Sequence, residues 1–396
     1  MAGAGAVPAA PRLARTQAAA EPIRIGEINS YTAHPGLLEP YRNAWQTAQE
    51  TVNAAGGING RPIETIFRDD AGRPEDAVRL AGELLKAERV ALLAGGFLSN
   101  VGLALSDFAN QNHRLFVASA PMTDALVWSR GNRHTFRLRP STYMQSAMLA
   151  EEAAKLPAKR WATVVPNYEY GQSAVRWFKE LLLRARPDAQ FVAEQFPALG
   201  RIDAGATVQA LLAANPDAIF NATFGTDLTS FVRQGATRGL FERRRVVSLL
   251  TGEPEYLLPL MDEAPEDWIV TGYPFDQLET PAHVAFRDAY RRRWNDGPRL
   301  GSVLGHDMVQ AVAAMLHRAA GRTEPDAMVE AMRGMRFAGV FGEVEFRALD
   351  HQSTMGAFVG RTVLRNGRGV MVDWRYAEGR NYLPADEVVR QLRPQA

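Results

Sequence analysis

Residues able to do chemistry are scattered along this 396-residue chain and do not gather into a catalytic template. The chain has no cysteine, which removes thiol nucleophiles, zinc-thiolate sites, iron–sulfur clusters and disulfides together. Its seven histidines, His34, His113, His134, His283, His306, His317 and His351, show none of the i+2 or i+4 pairing that metal ligation uses, so no metal is expected. The phosphate loop, the zinc-protease helix, the calcium loop and the nucleophile elbow are all missing. Asp69-Asp70 could form a carboxylate pair for acid/base work, but neighbours at a strand end point to opposite faces, which suits loop capping. With 45 Lys+Arg against 44 Asp+Glu, the chain offers no electrostatic footprint for nucleic acid. These residues describe a protein that holds a ligand: no enzyme, and no cofactor.

The ends say where it works. Residues 1–20, MAGAGAVPAAPRLARTQAAA, are small and Ala-rich, with cleavage-type spacing at Ala18-Ala19-Ala20 but no basic start. They read as the remnant of a signal peptide, the alternative being a cytoplasmic tail. No stretch approaches the roughly 18 apolar residues of a membrane span.

The elements that must position a site alternate. Ile23–Gly26 reads as a strand, and Tyr41, Trp45, Ala48 and Val52 lie at helical spacing before Gly56-Gly57 stops that helix. Strands at 63–67, 90–94 and 115–118 follow, separated by helices from Pro74 and after Ser99. From Ser141 the rhythm repeats: strands at 161–165, 190–196, 218–222 and 246–250, with helices at 174–185, 208–213 and 226–237 between them. Such alternation predicts an α/β protein of two doubly wound parallel-sheet lobes. Beyond Thr271, helices at 283–294, 307–319 and 325–332 and β-type runs at 340–346 and 362–373 alternate too little for a third domain. They are expected to complete the two lobes through a hinge of several crossings. The expected division is 21–140 plus 272–347 for the first lobe and 141–271 plus 348–396 for the second, with the ligand between them.

The run Gly56-Gly57-Ile58-Asn59-Gly60-Arg61-Pro62-Ile63, then Asp69-Asp70, Gly95-Gly96-Phe97-Leu98-Ser99 and Asn167-Tyr168-Glu169-Tyr170-Gly171, all in order, resembles the leucine/isoleucine/valine-binding group of periplasmic solute receptors. The resemblance covers about Ile23 to Asp373. It implies the type I periplasmic binding fold, a flytrap of two lobes with three hinge crossings, a periplasmic location, and delivery of a small ligand to an ABC-type permease in the inner membrane.

By the same resemblance the ligand site comprises Ser99, Pro121, Met122, Thr123, Tyr170, Phe224 and Glu253, with Leu37 near the place of a bulky aromatic. Ser99 falls between a strand and a helix, where hydroxyl and amides suit a carboxylate, the alternative being an N-cap alone. The backbone at Pro121 and Met122 and the Thr123 hydroxyl are expected to close the polar end, and Tyr170 to cover the ligand from the opposite lobe. Glu253 takes the place of the carboxylate that accepts an α-amino group, with Glu255 competing for that role. Gly36-Leu37 in place of an aromatic, and Pro121 in place of a backbone donor, set this chain apart. The expected ligand is a branched-chain or other amino acid; aromatic acids, amides and urea, or a cytoplasmic amide sensor on the same fold, are the alternatives.

Overall fold

The computed structural model describes residues 21–393; the leader read at 1–20 lies outside the described residues. The first series runs β1 (Ile23–Asn29), α1 (Pro35–Ala54), β2 (Ile63–Asp69), α2 (Pro74–Lys86), β3 (Leu92–Gly95), α3 (Ser99–Gln111), β4 (Phe116–Ala118) and β5 (Thr135–Arg137). All its strands pair in parallel, in the order β2-β1-β3-β4-β5. The second series runs α4 (Thr142–Ala153), β6 (Arg160–Val164), α5 (Glu169–Ala185), β7 (Gln190–Gln195), α6 (Ala204–Ala214), β8 (Ala218–Asn221), α7 (Gly225–Thr237), β9 (Arg245–Gly252), α8 (Pro254–Leu257) and β10 (Ile269–Gly272). Its parallel strands stand in the order β7-β6-β8-β9-β10, which repeats the first sheet strand for strand. This doubly wound order reverses direction beside the first strand of each sheet, and the crevice at the carboxyl ends there is where such sheets hold ligands. β3 and β8, just past each reversal, are buried along their whole length and apolar except for Asn221 at the end of β8, as befits strands covered on both faces.

The chain then supplies α9 (Pro281–Trp294), α10 (Leu300–Arg318), α11 (Pro325–Met332), the hairpin β11 (Arg336–Gly339) and β12 (Gly342–Glu345), β13 (Ala357–Arg365), β14 (Arg368–Ala377) and α12 (Asp386–Leu392). α10 lies along α1, and two glycines one turn apart allow the approach. A Cβ on Gly301 would stand 2.0 Å from the Leu37 carbonyl oxygen, and one on Gly305 2.0 Å from that of Tyr41. β13 and β14 join the far side of β10, so the second sheet has seven strands and is mixed. The single run expected over 362–373 is therefore a hairpin, broken at Asn366-Gly367. Both turn residues have positive φ, 50° and 71°, the conformation a two-residue turn requires.

The chain passes between the sheets at 138–141, 273–280 and 346–356. The first and third passages are stitched together like a short parallel ladder. Arg137 N–H donates to the His351 carbonyl at 3.1 Å, Ser353 N–H to that of Arg137 at 3.0 Å, and the Arg137 Nε–H to Gln352 Oε1 at 2.6 Å. A further passage differs from the expected division, which left everything beyond 348 in the second lobe. After Tyr382 donates to Glu151 of α4 at 2.6 Å, α12 returns to the first lobe. There Arg393 is held by the carbonyls of Val127 and Asn132, at 2.6 and 2.8 Å.

Candidate ligand-binding site

The loops after β3, β4, β6, β8 and β9 meet between the lobes around a small cavity lined by Phe97, Ser99, Ala120, Met122, Arg139, Tyr168, Tyr170, Phe224, Leu250 and Tyr256. About 20 Å³ remains free, room for a water but not for an amino acid, so the lobes must part to admit a solute. Ser99 is the first residue of α3. Leu98, the N-cap, gives no side-chain cap, so the opening amides of that helix keep their donors and its positive dipole end faces the cavity. The same holds across the cleft, where Tyr168 and Phe224 are the N-caps of α5 and α7 and neither caps with its side chain. Three uncapped helix N-termini thus converge on one enclosed space, a setting that favours negative charge.

A fixed positive charge adds to them. The Arg139 guanidinium, 1 % exposed, pairs with Glu253 Oε1 from the second lobe. One arm of each group is used. Arg139 Nε and Glu253 Oε2 are buried without a hydrogen-bond partner among the described residues, and so is the Tyr170 hydroxyl. A donor and an acceptor therefore stand side by side, both unsatisfied, an arrangement costly unless a ligand completes it. Burial pushes the Glu253 carboxyl up, against the pull of Arg139.

The rest of the wall is aromatic. Phe224 packs against His34, Phe97, Tyr170 and Tyr256 with ring centroids 5.9, 6.2, 5.7 and 5.9 Å away. His34 and Phe97 belong to the first lobe, so this cluster closes the cleft from both sides. His34 is held neutral, lowered to about 4 by burial.

Of the residues singled out in the sequence, Ser99, Met122, Tyr170 and Phe224 line the cavity, and Glu253 reaches it through Arg139. The Ser99 hydroxyl accepts Thr123 N–H at 3.1 Å and has its own hydrogen to offer. Thr123 turns away: its hydroxyl donates to Glu169 Oε1 across the cleft at 2.8 Å and accepts from Ala125 N–H. Pro121 packs against α3, in the place where Gly102 has no Cβ. Leu37 is buried under α10, because α1 begins at Pro35, and His34 takes the aromatic place instead. Glu255 does not compete with Glu253. It accepts from Leu300 and Gly301 N–H at 3.1 and 2.9 Å, capping α10 of the first lobe from the second. Asp69 and Asp70 cap loops, through Ala71 N–H at 2.9 Å and through Ser30 and Gly72 at 2.6 and 2.8 Å.

Arg139 is the residue that sequence reasoning missed. Its signal is the alternation Arg137-Leu138-Arg139 after a buried strand, two charges on one face where the flanking residues are apolar. No group of side chains that could hold a metal ion occurs among the described residues.

Known proteins share this architecture. A family model described as "Periplasmic binding protein" matches residues 22–368. Leu/Ile/Val-binding protein homolog 7 of Brucella melitensis is 24% identical over 309 residues, 74% of this chain and 76% of that protein. The leucine-, isoleucine-, valine-, threonine-, and alanine-binding protein of Pseudomonas aeruginosa is 24% identical over 338 residues, 83% and 86% of the two chains. Among solved structures, a solute binding protein of an ABC transporter from Rhodopseudomonas palustris in complex with 3,4-dihydroxy benzoic acid superposes with a TM-score of 0.79 at 22% identity, covering 90% of this chain and 98% of that one. A leucine binding protein from Thermotoga maritima gives 0.78 at 20% identity, covering 89% and 98%. By the extent of that family match and the shared two-lobe fold, this chain belongs to the periplasmic binding protein family.

Proposed function

We propose that this protein is the extracytoplasmic receptor of an ABC-type permease and that its cleft closes on a small carboxylate with an apolar body. The observation that carries the reading is the convergence of three uncapped helix N-termini and Arg139 on one enclosed, aromatic-walled cavity. A carboxylate there takes amides of α3 and the Ser99 hydroxyl, with the second lobe adding Tyr170. Charge-assisted bonds of roughly 1.5–3 kcal/mol each, reduced by ordering and closure, lead to about micromolar affinity.

Two ligand classes fit different features of this site. An α-amino acid satisfies both orphaned groups, its carboxylate near Arg139 Nε and its ammonium on Glu253 Oε2. An aromatic acid is favoured by the ring cluster of Phe97, Tyr168, Tyr170, Phe224 and Tyr256, whose faces and edges suit a flat body. Relatives named for branched-chain amino acids and for a dihydroxybenzoate complex support one reading each. The periplasm is the proposed location, supported by the family and the leader-like residues 1–20; among the described residues no helix is long and apolar enough to cross a membrane.

Calorimetric titration with leucine, phenylalanine, 4-hydroxybenzoate and acetamide tests the reading. Saturable binding of one of the three carboxylates is expected, and Ser99→Ala and Glu253→Ala should each weaken it. Binding of acetamide alone overturns the carboxylate reading and favours a neutral-amide sensor.

A further inference from the structure

Away from the cleft, a hollow of about 450 Å³ lies on the first lobe between α11, the turn before β5, the third passage and α12. Four arginines line it, Arg133, Arg333, Arg390 and Arg393, and Glu330 is the one carboxylate among its lining residues. The acidic groups nearby are already shared out. Glu330 stands 3.6 Å from both Arg133 and Arg333, Asp326 3.1 Å from Arg133, and Asp386 and Glu387 3.7 and 4.0 Å from Arg390.

Arg393 is different, because no carboxylate among the described residues lies within ion-pairing distance of it. Its guanidinium is held by three backbone carbonyls, Val127 at 2.6 Å and Asp350 and Asn132 at 2.8 Å. Gly131 makes that grip possible, since a Cβ there would stand 2.8 Å from Arg393 Nη1. Carbonyls satisfy N–H groups without cancelling a charge, and Nε–H with one Nη2–H is left over. Burial pushes the Arg393 pKa down; the field of Asp350 opposes this and that of Arg333 adds to it. Neighbouring His351 is lowered to about 3, first by burial and then by Arg393. Among the described residues, the hollow therefore carries a half-buried guanidinium with no carboxylate in direct contact, and a charge of that kind gains from an anion that meets it.

We propose that this hollow binds a small polyanion of the phosphate class, gripped by Arg333, Arg390 and Arg393. Guanidinium forks match phosphate oxygens in pairs, which a lysine cannot do, and three forks, from the residue after α11, from α12 and from the residue after α12, line the hollow. The same chemistry could be presented by a free phosphate or by a lipid headgroup.

The test uses pyrophosphate, titrated calorimetrically into the whole protein at low salt. Saturable binding is expected, weakening as ionic strength rises. Arg333 and Arg390 have side chains 48% and 58% exposed, so the double variant R333Q/R390Q keeps the fold. It should weaken pyrophosphate at least tenfold while leaving the cleft's carboxylate affinity as it was. No saturable binding, or an affinity that the double variant leaves unchanged, overturns the proposal. Co-sedimentation with phosphatidylglycerol but not phosphatidylcholine vesicles, lost in R333Q/R390Q, identifies a headgroup as the source. Pyrophosphate binding without co-sedimentation identifies a free anion.

Discussion

The two walls of the cleft are built from equivalent loops of two sheets with the same strand order, and yet they are chemically unlike. The first-lobe wall has Phe97, with His34 beside it, and is otherwise helix amides, small side chains and Met122. Ser99, Ala120 and Met122 follow β3 and β4, and the Ser99 hydroxyl is fixed in place by Thr123 N–H. The second-lobe wall is aromatic, with Tyr168, Tyr170, Phe224 and Tyr256 presenting large faces and a single carboxylate, Glu253, behind them. A rigid set of dipoles can hold a carboxylate whatever body it carries, whereas aromatic area discriminates among bodies. Under the proposed function the first lobe, with Ser99 and the α3 amides, gives most of the contacts to the charge, the larger aromatic area of the second lobe selects the shape, and closure is needed for both.

Arg139 is where this division is most easily broken, because it carries charge from the first lobe into the aromatic wall. Arg139→Met leaves Glu253 buried and unpaired, a change that costs roughly 3–5 kcal/mol. The expected result is a large drop in the urea midpoint, with most of it regained in R139M/E253L. A loss in the single variant below about 1 kcal/mol would show that the pair does not hold the lobes together. Phe224→Ala comes next. A closed core loses roughly 3–5 kcal/mol in such a change, but this cluster lines a cleft that opens, so about 2 kcal/mol is expected, seen as solute binding some 30-fold weaker. Chain stability should move much less, and an equal fall in both would place Phe224 in the lobe's core.

The contrast between the walls also decides what was legible in the sequence. Spacing located the strands and most helices, since each buries an apolar stripe whose period shows directly. Three helices nevertheless begin five or more residues earlier than their apolar pattern: α1 at Pro35, not Tyr41; α5 at Glu169, not Ala174; α10 at Leu300, not Asp307. Each extra turn faces the cleft or the other lobe, where residues are chosen for contact and not for a core stripe. Leu37 is buried instead for that reason, and His34, close by in sequence, stands against Phe224. Asn366-Gly367 was legible as a hairpin turn and was absorbed into one long strand because apolar residues continue on both sides. Arg139 lies outside every motif that carries the resemblance, so only its charge within an apolar run marked it.

His34 sharpens the comparison on the side of pH. It sits in the first lobe against Phe224 of the second, and burial lowers it from its ordinary 6.5 to about 4. The closed form thus binds the proton less tightly than the open one, so closure is fully supported above pH 6.5 and weakens as pH falls toward 4. Because His34 is only half-buried, solute affinity should fall by no more than about tenfold between pH 7 and pH 5. His34→Phe should flatten that limb of the profile, and a profile unchanged by the substitution would remove His34 from closure.

The smallest effect of removing a solute contact is expected on the wall that recognises charge. Ser99→Ala removes a hydroxyl that accepts from Thr123 N–H at 3.1 Å and can donate to the solute, yet it leaves the opening amides of α3 where they are. The carboxylate keeps the helix N-terminus, so the loss is at the low end for one charge-assisted hydrogen bond, about 1.5 kcal/mol or roughly tenfold in affinity. Dissociation constants for leucine and 4-hydroxybenzoate should weaken by the same factor, because the carboxyl end is common to both. Phe224→Ala should separate them, since it touches only the body. If Ser99→Ala discriminated between the two solutes as strongly as Phe224→Ala does, charge and shape would not be read by separate walls.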